Sequence, residues 1–94
     1  MIPKITHVKA GTEHKLYINF KGGGTRLFDI KPYLTKGVFK ELQDDQYFKK
    51  VRLVWGGIEW PHEQDLSAET LYYLGVPIKG SNKSLQRAPR RARR

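Results

Sequence analysis

VRLVWGGIEWPHEQDLSAETLYYLG, residues 51–75, holds both tryptophans of the chain and three structural signals in one run. VRLVW alternates, which places Val51, Leu53 and Trp55 on one face. A period of two marks a half-buried strand. Gly56-Gly57 reads as a two-residue hairpin turn, and IEW returns with Ile58 and Trp60 together and Glu59 opposite. On this reading both tryptophans point inward and meet across paired strands. Pro61 ends the return strand because it has no amide hydrogen for the ladder. Ser67 then caps a helix, and Glu69 sits in its first turn, where the helix dipole favours an acid. Leu71, Tyr72 and Leu74 form its apolar stripe, and Gly75 closes it.

Upstream the pattern repeats. LYINF sets Leu16, Ile18 and Phe20 on one face, and RLFDI sets Phe28 and Ile30 inward. Lys21-Gly22-Gly23-Gly24 joins them as a second hairpin. In MIPKITHVKA the spacing of Ile5 and Val8 fits neither face of a regular strand, which predicts a bulged edge strand. Pro32 stops the RLFDI strand, and Gly37 opens a helical turn carrying Val38, Phe39 and Leu42. Asp44 or Asp45 caps a short helix whose apolar pair is Tyr47 and Phe48. The fold class is therefore α+β. We expect a small antiparallel sheet of about five strands, in two hairpins, with two or three short helices.

Charge divides the 94 residues unevenly. The formal net charge is +9. Residues 1–78 carry eleven Lys/Arg against nine Asp/Glu, whereas residues 79–94 carry seven Lys/Arg and no acid. This predicts one domain over 1–78 and a basic C-terminal tail over 79–94. The tail is polar and low in complexity, too poor in apolar surface to offset the entropy of ordering, so it is expected to be flexible. Cysteine is absent, which excludes disulfides, thiolate metal sites and a cysteine nucleophile, and suits a cytoplasmic setting. The first residues lack the apolar run of a signal peptide, and no stretch is long enough to span a membrane.

Several residue groups invite a chemical reading. Gly22-Gly23-Gly24 leads into a strand rather than a helix, so it is a turn and not a phosphate cradle. His62, Glu63 and Asp65 are the candidates for an acid/base or ligand-binding loop, with Asp29 as a possible companion. Their spacing fits no metal motif, and a zinc site needs about three or four ligands. The plainer reading is a polar loop whose side chains bind the free amides of the next helix, with Asp65 the most structural member. Asp29 is expected to face solvent or to accept amides where Pro32-Tyr33-Leu34 turns. No nucleophile elbow or glycosidase carboxylate pair is present, so the chain reads as no enzyme, with no cofactor and no metal. Lys79, Lys83, Arg87, Arg90, Arg91, Arg93 and Arg94 are the candidate nucleic-acid contacts. Such a tail attracts phosphate without reading sequence.

The order of these pieces carries a resemblance. A bulged strand, a hairpin ending in FDI, then KPYL, KGVFKEL, QYFKKV, IEWP, a polar loop with DL, and LYYLG is similar to the small bacterial family called domain of unknown function 2442. The resemblance covers about residues 3–75 and implies an α+β fold with no established activity and no catalytic residues. Its recurrent positions fall on Phe28, Asp29, Phe39, Leu42, Phe48, Trp60, Asp65, Leu71 and Tyr72. After the proline the family usually has a small or amide residue, where this chain has His62. Short relatives encoded beside another small protein imply a toxin–antitoxin-like arrangement. The expected function is thus a non-enzymatic module that binds a small protein partner through an exposed sheet edge, with nucleic-acid affinity in the tail. The alternatives are a ligand-binding or enzymatic domain using His62, Glu63 and Asp65, and a purely structural accessory subunit.

Overall fold

Alternating apolar residues build the first sheet. The computed structural model describes residues 2–78. β1 (Ile5–Ala10), β2 (Lys15–Phe20) and β3 (Gly24–Asp29) form an antiparallel meander. The inward set Leu16, Ile18, Phe20, Phe28 and Ile30 is buried. The register of β1 on β2 shifts between Ile5 and His7. That irregularity is the bulge anticipated from the spacing of Ile5 and Val8. A strand not foreseen from the sequence, β7 (Val76–Ile78), joins the far side of β3, so the order is β1-β2-β3-β7.

The second sheet comes from the opening stretch. β4 (Arg52–Val54), β5 (Gly57–Glu59) and β6 (Asp65–Ser67) pair antiparallel in sequence order. The fold is α+β as expected, but its seven described strands lie in two sheets rather than about five in one. β6 occupies the end of the segment read as a polar loop.

The turn of the second hairpin is displaced from its expected place. Val54 pairs with Gly57, so the two-residue loop is Trp55-Gly56, with Gly56 at φ +84°. Gly57 belongs to the strand, paired with Val54 and Ser67, and only glycine fits there because a Cβ would collide with the Leu66 carbonyl oxygen of β6. The shift removes Trp55 from the ladder and leaves it 99% exposed. Trp60 is fully buried. The expected contact between the two tryptophans is therefore replaced by two opposite environments.

Helical elements close the core between the sheets. Gly37–Gln43 forms a 3-10 segment, and α1 (Asp45–Phe48) follows, capped by the Asp44 carboxylate, which accepts from the Gln46 amide at 3.0 Å. Tyr47 and Phe48 are both buried, as their pairing in the sequence suggests. α2 (Ala68–Leu74) is capped by Ser67, whose hydroxyl accepts from the Thr70 amide at 3.1 Å. It packs on β3 of one sheet and on β5 and β6 of the other. Leu71 is the buried centre of that contact, but Leu74 is 64% exposed and drops out of the predicted stripe. Val38, read as part of an apolar turn, is exposed too. The basic segment 79–94, from Lys79 to Arg94, lies outside the described residues.

These environments separate the two tryptophans energetically. Trp60→Ala is expected to lower stability by about 3–5 kcal/mol, as for other buried aromatics. Trp55→Ser is expected to change it by no more than about 0.5 kcal/mol. Urea denaturation of the two variants beside the parent protein checks both values.

Candidate functional site

The polar loop after β5 folds back on itself before it touches anything else. The Trp60 amide donates to the Gln64 carbonyl at 2.9 Å, and the Glu63 amide donates to the Trp60 carbonyl at 3.2 Å. Glu63 takes φ +81° to close this turn. That conformation is costly for a residue with a Cβ and survives only where its surroundings fix it. The surroundings do so from two sides. Below, the Trp60 indole Nε1 donates to the Phe48 carbonyl at 2.8 Å while the ring stacks on Phe48. Above, the Tyr47 hydroxyl accepts from the His62 amide at 2.8 Å and donates to Gln64 Oε1 at 2.7 Å.

Gln64 is the hinge of this arrangement. It is 2% exposed. Its Nε2 donates to the Val38 carbonyl at 2.9 Å and to Glu41 Oε1 at 3.0 Å. Glu41 Oε2 lies 2.7 Å from His62 Nδ1, and the imidazole stacks on the Tyr47 ring at 5.2 Å. Hydrogen bonds from Gln64 and then from His62 hold the Glu41 carboxyl below its ordinary value, because both favour the ionised form. The loop is thus fastened to the 3-10 segment and α1 by a chain of four side chains: Glu41, His62, Tyr47 and Gln64.

The expected loop residues fare differently. His62 is engaged, but with Glu41 and Tyr47 rather than with the amides of α2, whose cap is Ser67. Asp65 starts β6 opposite Glu59, is exposed, and makes no side-chain hydrogen bond or ion pair among the described residues, so it is not the structural member. That role falls to Gln64, which the sequence reading passed over. In the structure Gln64 and Leu66 are buried while Glu63, Asp65 and Ser67 are exposed, the alternation of a strand, of which the sequence itself shows only Leu66. Glu63 is exposed.

Asp29 accepts from the Lys31 amide at 2.9 Å, where the chain turns after β3, as anticipated. It also lines a groove of about 620 Å³ that takes in none of His62, Glu63 and Asp65. The four candidates of the enzymatic reading therefore do not share that groove. Among the described residues, no group of His, Asp and Glu is arranged to hold a metal ion, and no helix is long and apolar enough to cross a membrane. The glycine run closes the β2–β3 hairpin and leads into a strand, as expected.

With this geometry in place, the sequence profile of the protein family of unknown function DUF2442 matches residues 5–77, and the chain belongs to that family. No curated protein and no solved structure matches it.

The network around Gln64 makes a pH-dependent prediction. In the parent protein, Glu41 contributes stability that is present above the ordinary carboxylate range and is lost as pH falls through its lowered folded value. Gln64→Glu places a second carboxylate against Glu41 and removes the donor. At neutral pH this variant should lose about 2–4 kcal/mol, the scale of an unpaired buried polar group or charge. Acidification protonates the new carboxyl and restores a donor, so its stability relative to that of the parent protein should rise between about pH 7 and pH 5. Thermal melts of both proteins across that range give the comparison.

Proposed function

We propose that this DUF2442 member is a non-enzymatic binding module that docks a small protein partner with Trp55 at the contact. The observation that carries this reading is the exposure of Trp55 at the tip of the β4–β5 hairpin. Tryptophan is enriched among the few residues that dominate binding energy, because a large rigid ring is buried at small entropic cost. The hairpin beneath it is braced by the Arg52–Glu59 ion pair at 2.6 Å and by β6 on its other side. The ring is thus presented on a defined support.

The surface around Trp55 is a better candidate than the sheet edges first expected. β1 carries a bulge and the cations Lys4 and Lys9 at or beside it. β7 carries Pro77, which withholds one amide hydrogen from the ladder. Both devices discourage strand addition. A small partner also suits the toxin–antitoxin-like arrangement that the resemblance implies. Catalysis has no support of this kind, since Asp29 and His62 are each committed to local partners.

The basic tail adds a second, separable element. Its seven cations without an acid favour phosphate contacts of nucleic acid. Full engagement of seven phosphates would give a slope of about −6 for log K against log salt.

Affinity purification of the full chain from its native cells, with mass spectrometric identification, tests the reading. We expect one small protein to copurify with the parent chain and with a chain ending at residue 78, and to be lost with Trp55→Ala. Retention by Trp55→Ala would refute Trp55 as the contact, and loss on truncation would make the tail the binding element. For nucleic acid, the truncated chain should lose the steep salt dependence in duplex DNA titrations.

A further inference from the structure

Unpaired positive charge gathers on the first sheet. Residues 1–29, which end with β3, carry five Lys/Arg against two acids. Both acids are held by lysines, Glu13 by Lys15 at 3.4 Å and Asp29 by Lys31 at 3.8 Å. Arg26 is turned to the core side, with its Cζ 4.1 Å from the centre of the Tyr72 ring and Nη1 donating to the Tyr72 carbonyl at 2.9 Å. That leaves Lys4, Lys9 and Lys21, all exposed and all without an ionic partner among the described residues. The acids that have no ionic partner there, Asp44, Glu63, Asp65 and Glu69, belong to other elements.

The strand register sets these lysines around one face. Leu16, Ile18 and Phe20 of β2 are buried in the core, so Tyr17 and Asn19 between them point the other way. Lys9 pairs with Tyr17 and His7 with Asn19 on β1, and directly opposite residues share a face. The Lys21 amide donates to the Lys4 carbonyl at 2.8 Å, which puts those two lysines side by side where the same two strands end. His7, Lys9 and Asn19 are exposed, and Tyr17 is half-buried. The edge of its ring lies against Gly11, where a Cβ would come within 2.7 Å of it. The Thr25 hydroxyl donates to Asn19 Oδ1 at 3.2 Å, while Asn19 Nδ2 makes no hydrogen bond among the described residues. An aromatic ring, a spare amide donor and three unpaired ammonium groups thus sit on and beside one face of β1 and β2.

We infer that this face binds single-stranded nucleic acid, with phosphates on Lys4, Lys9 and Lys21, a base against Tyr17, and the Asn19 amide donating to a base or sugar. Cations that follow the backbone and an aromatic side chain for a base are the two components of such sites. A single strand brings both to one chain, a charge on every nucleotide and a flat ring on every base. Other occupants fit less well. The major groove of a duplex, about 12 Å wide, admits a helix or a two-stranded ribbon, whereas four strands spaced about 4.8 Å apart are broader. An acidic peptide can meet the lysines but brings no base for Tyr17. A second copy of this chain would bring net charge +9 against +9. The site shares no residue with the Trp55 tip or with the basic segment 79–94, so the inference stands or falls separately from both.

The test uses the full ¹⁵N-labelled chain and four probes: a short oligothymidylate, the duplex it forms with its complement, inorganic polyphosphate and a polyglutamate peptide. The single strand should shift the amides of His7, Lys9, Tyr17 and Asn19 saturably, and the other three probes should bind there at least about tenfold less tightly. Read from these amides, Lys9→Ala should flatten the slope of log K against log salt by about 0.7, the share of one phosphate contact in a single strand. Tyr17→Leu keeps an apolar side chain but no ring, and should weaken oligothymidylate binding at least about fivefold. Lys9 is exposed, so Lys9→Ala keeps the fold and its result stands even where Tyr17→Leu unfolds. Shifts confined to other residues would overturn the inference, as would a duplex, polyphosphate or polyglutamate that moves the four amides as strongly. So would an unchanged salt slope in Lys9→Ala, or parent-like affinity in a folded Tyr17→Leu.

Discussion

The hydrogen bond from the Trp60 indole to the Phe48 carbonyl, at 2.8 Å, is the constraint on which the described structure depends. It is made by a side chain with no exposed surface, to a carbonyl at the end of α1, where the helix leaves acceptors without intrahelical partners. The same ring stacks on Phe48 with its centroid 6.1 Å away, so packing and polarity hold one geometry together. Through this contact the second hairpin is tied to the helical segment and hence to the core shared by both sheets. Once Trp60 is fixed, the register of β5 follows. Gly57 must then pass under the Leu66 carbonyl, and Trp55 is left at the turn with nothing to cover it.

The polar chain above Trp60 performs a different task. Gln64 carries a primary amide into a site with almost no exposure, and all of its hydrogen-bonding groups are used. Such a network adds specificity when it is complete and is costly when one member is removed. It accounts for the positive φ of Glu63, because the flanking residues are anchored and the turn between them has little freedom. It also explains why His62, the most catalytic-looking residue of the loop, is spent on structure. One ring nitrogen is bound to Glu41, and the ring face is taken by Tyr47. Trp55 at the hairpin tip and Leu74 and Val76 beside β3 are left exposed, on different elements of the fold.

Much of this architecture was legible before the structure. The alternation of Leu16, Ile18 and Phe20 with Phe28 and Ile30 located the first hairpin and its buried face. The spacing of Ile5 and Val8 located the bulge, and Ser67 and Asp44 the two caps. These signals are local, and each records a residue's own backbone preference. What escaped was set at a distance. The turn at Trp55-Gly56 instead of Gly56-Gly57 depends on the close approach of β6 to Gly57, which no window around the two glycines contains. β7 is only three residues long and gains its stability from β3. Gln64 was hidden among charged neighbours, and its partners Val38, Glu41 and Tyr47 lie in other elements. Of the candidate acid/base loop, His62 and Glu63 lie in a turn as read, whereas Asp65 begins β6, and composition alone could not assign the bonds of any of them.

The opposed environments of the two tryptophans give the most direct test of this account. Two single-tryptophan variants, Trp55→Phe and Trp60→Phe, isolate each emission in turn, and acrylamide quenching reports the access of a small neutral molecule. The account predicts blue-shifted and weakly quenched emission when Trp60 is the only indole, and red-shifted, freely quenched emission when Trp55 is. Equal quenching of both, or protection of Trp55 in the isolated chain, would contradict the burial of Trp60 as the anchor of the fold and the exposure of Trp55 that follows from it.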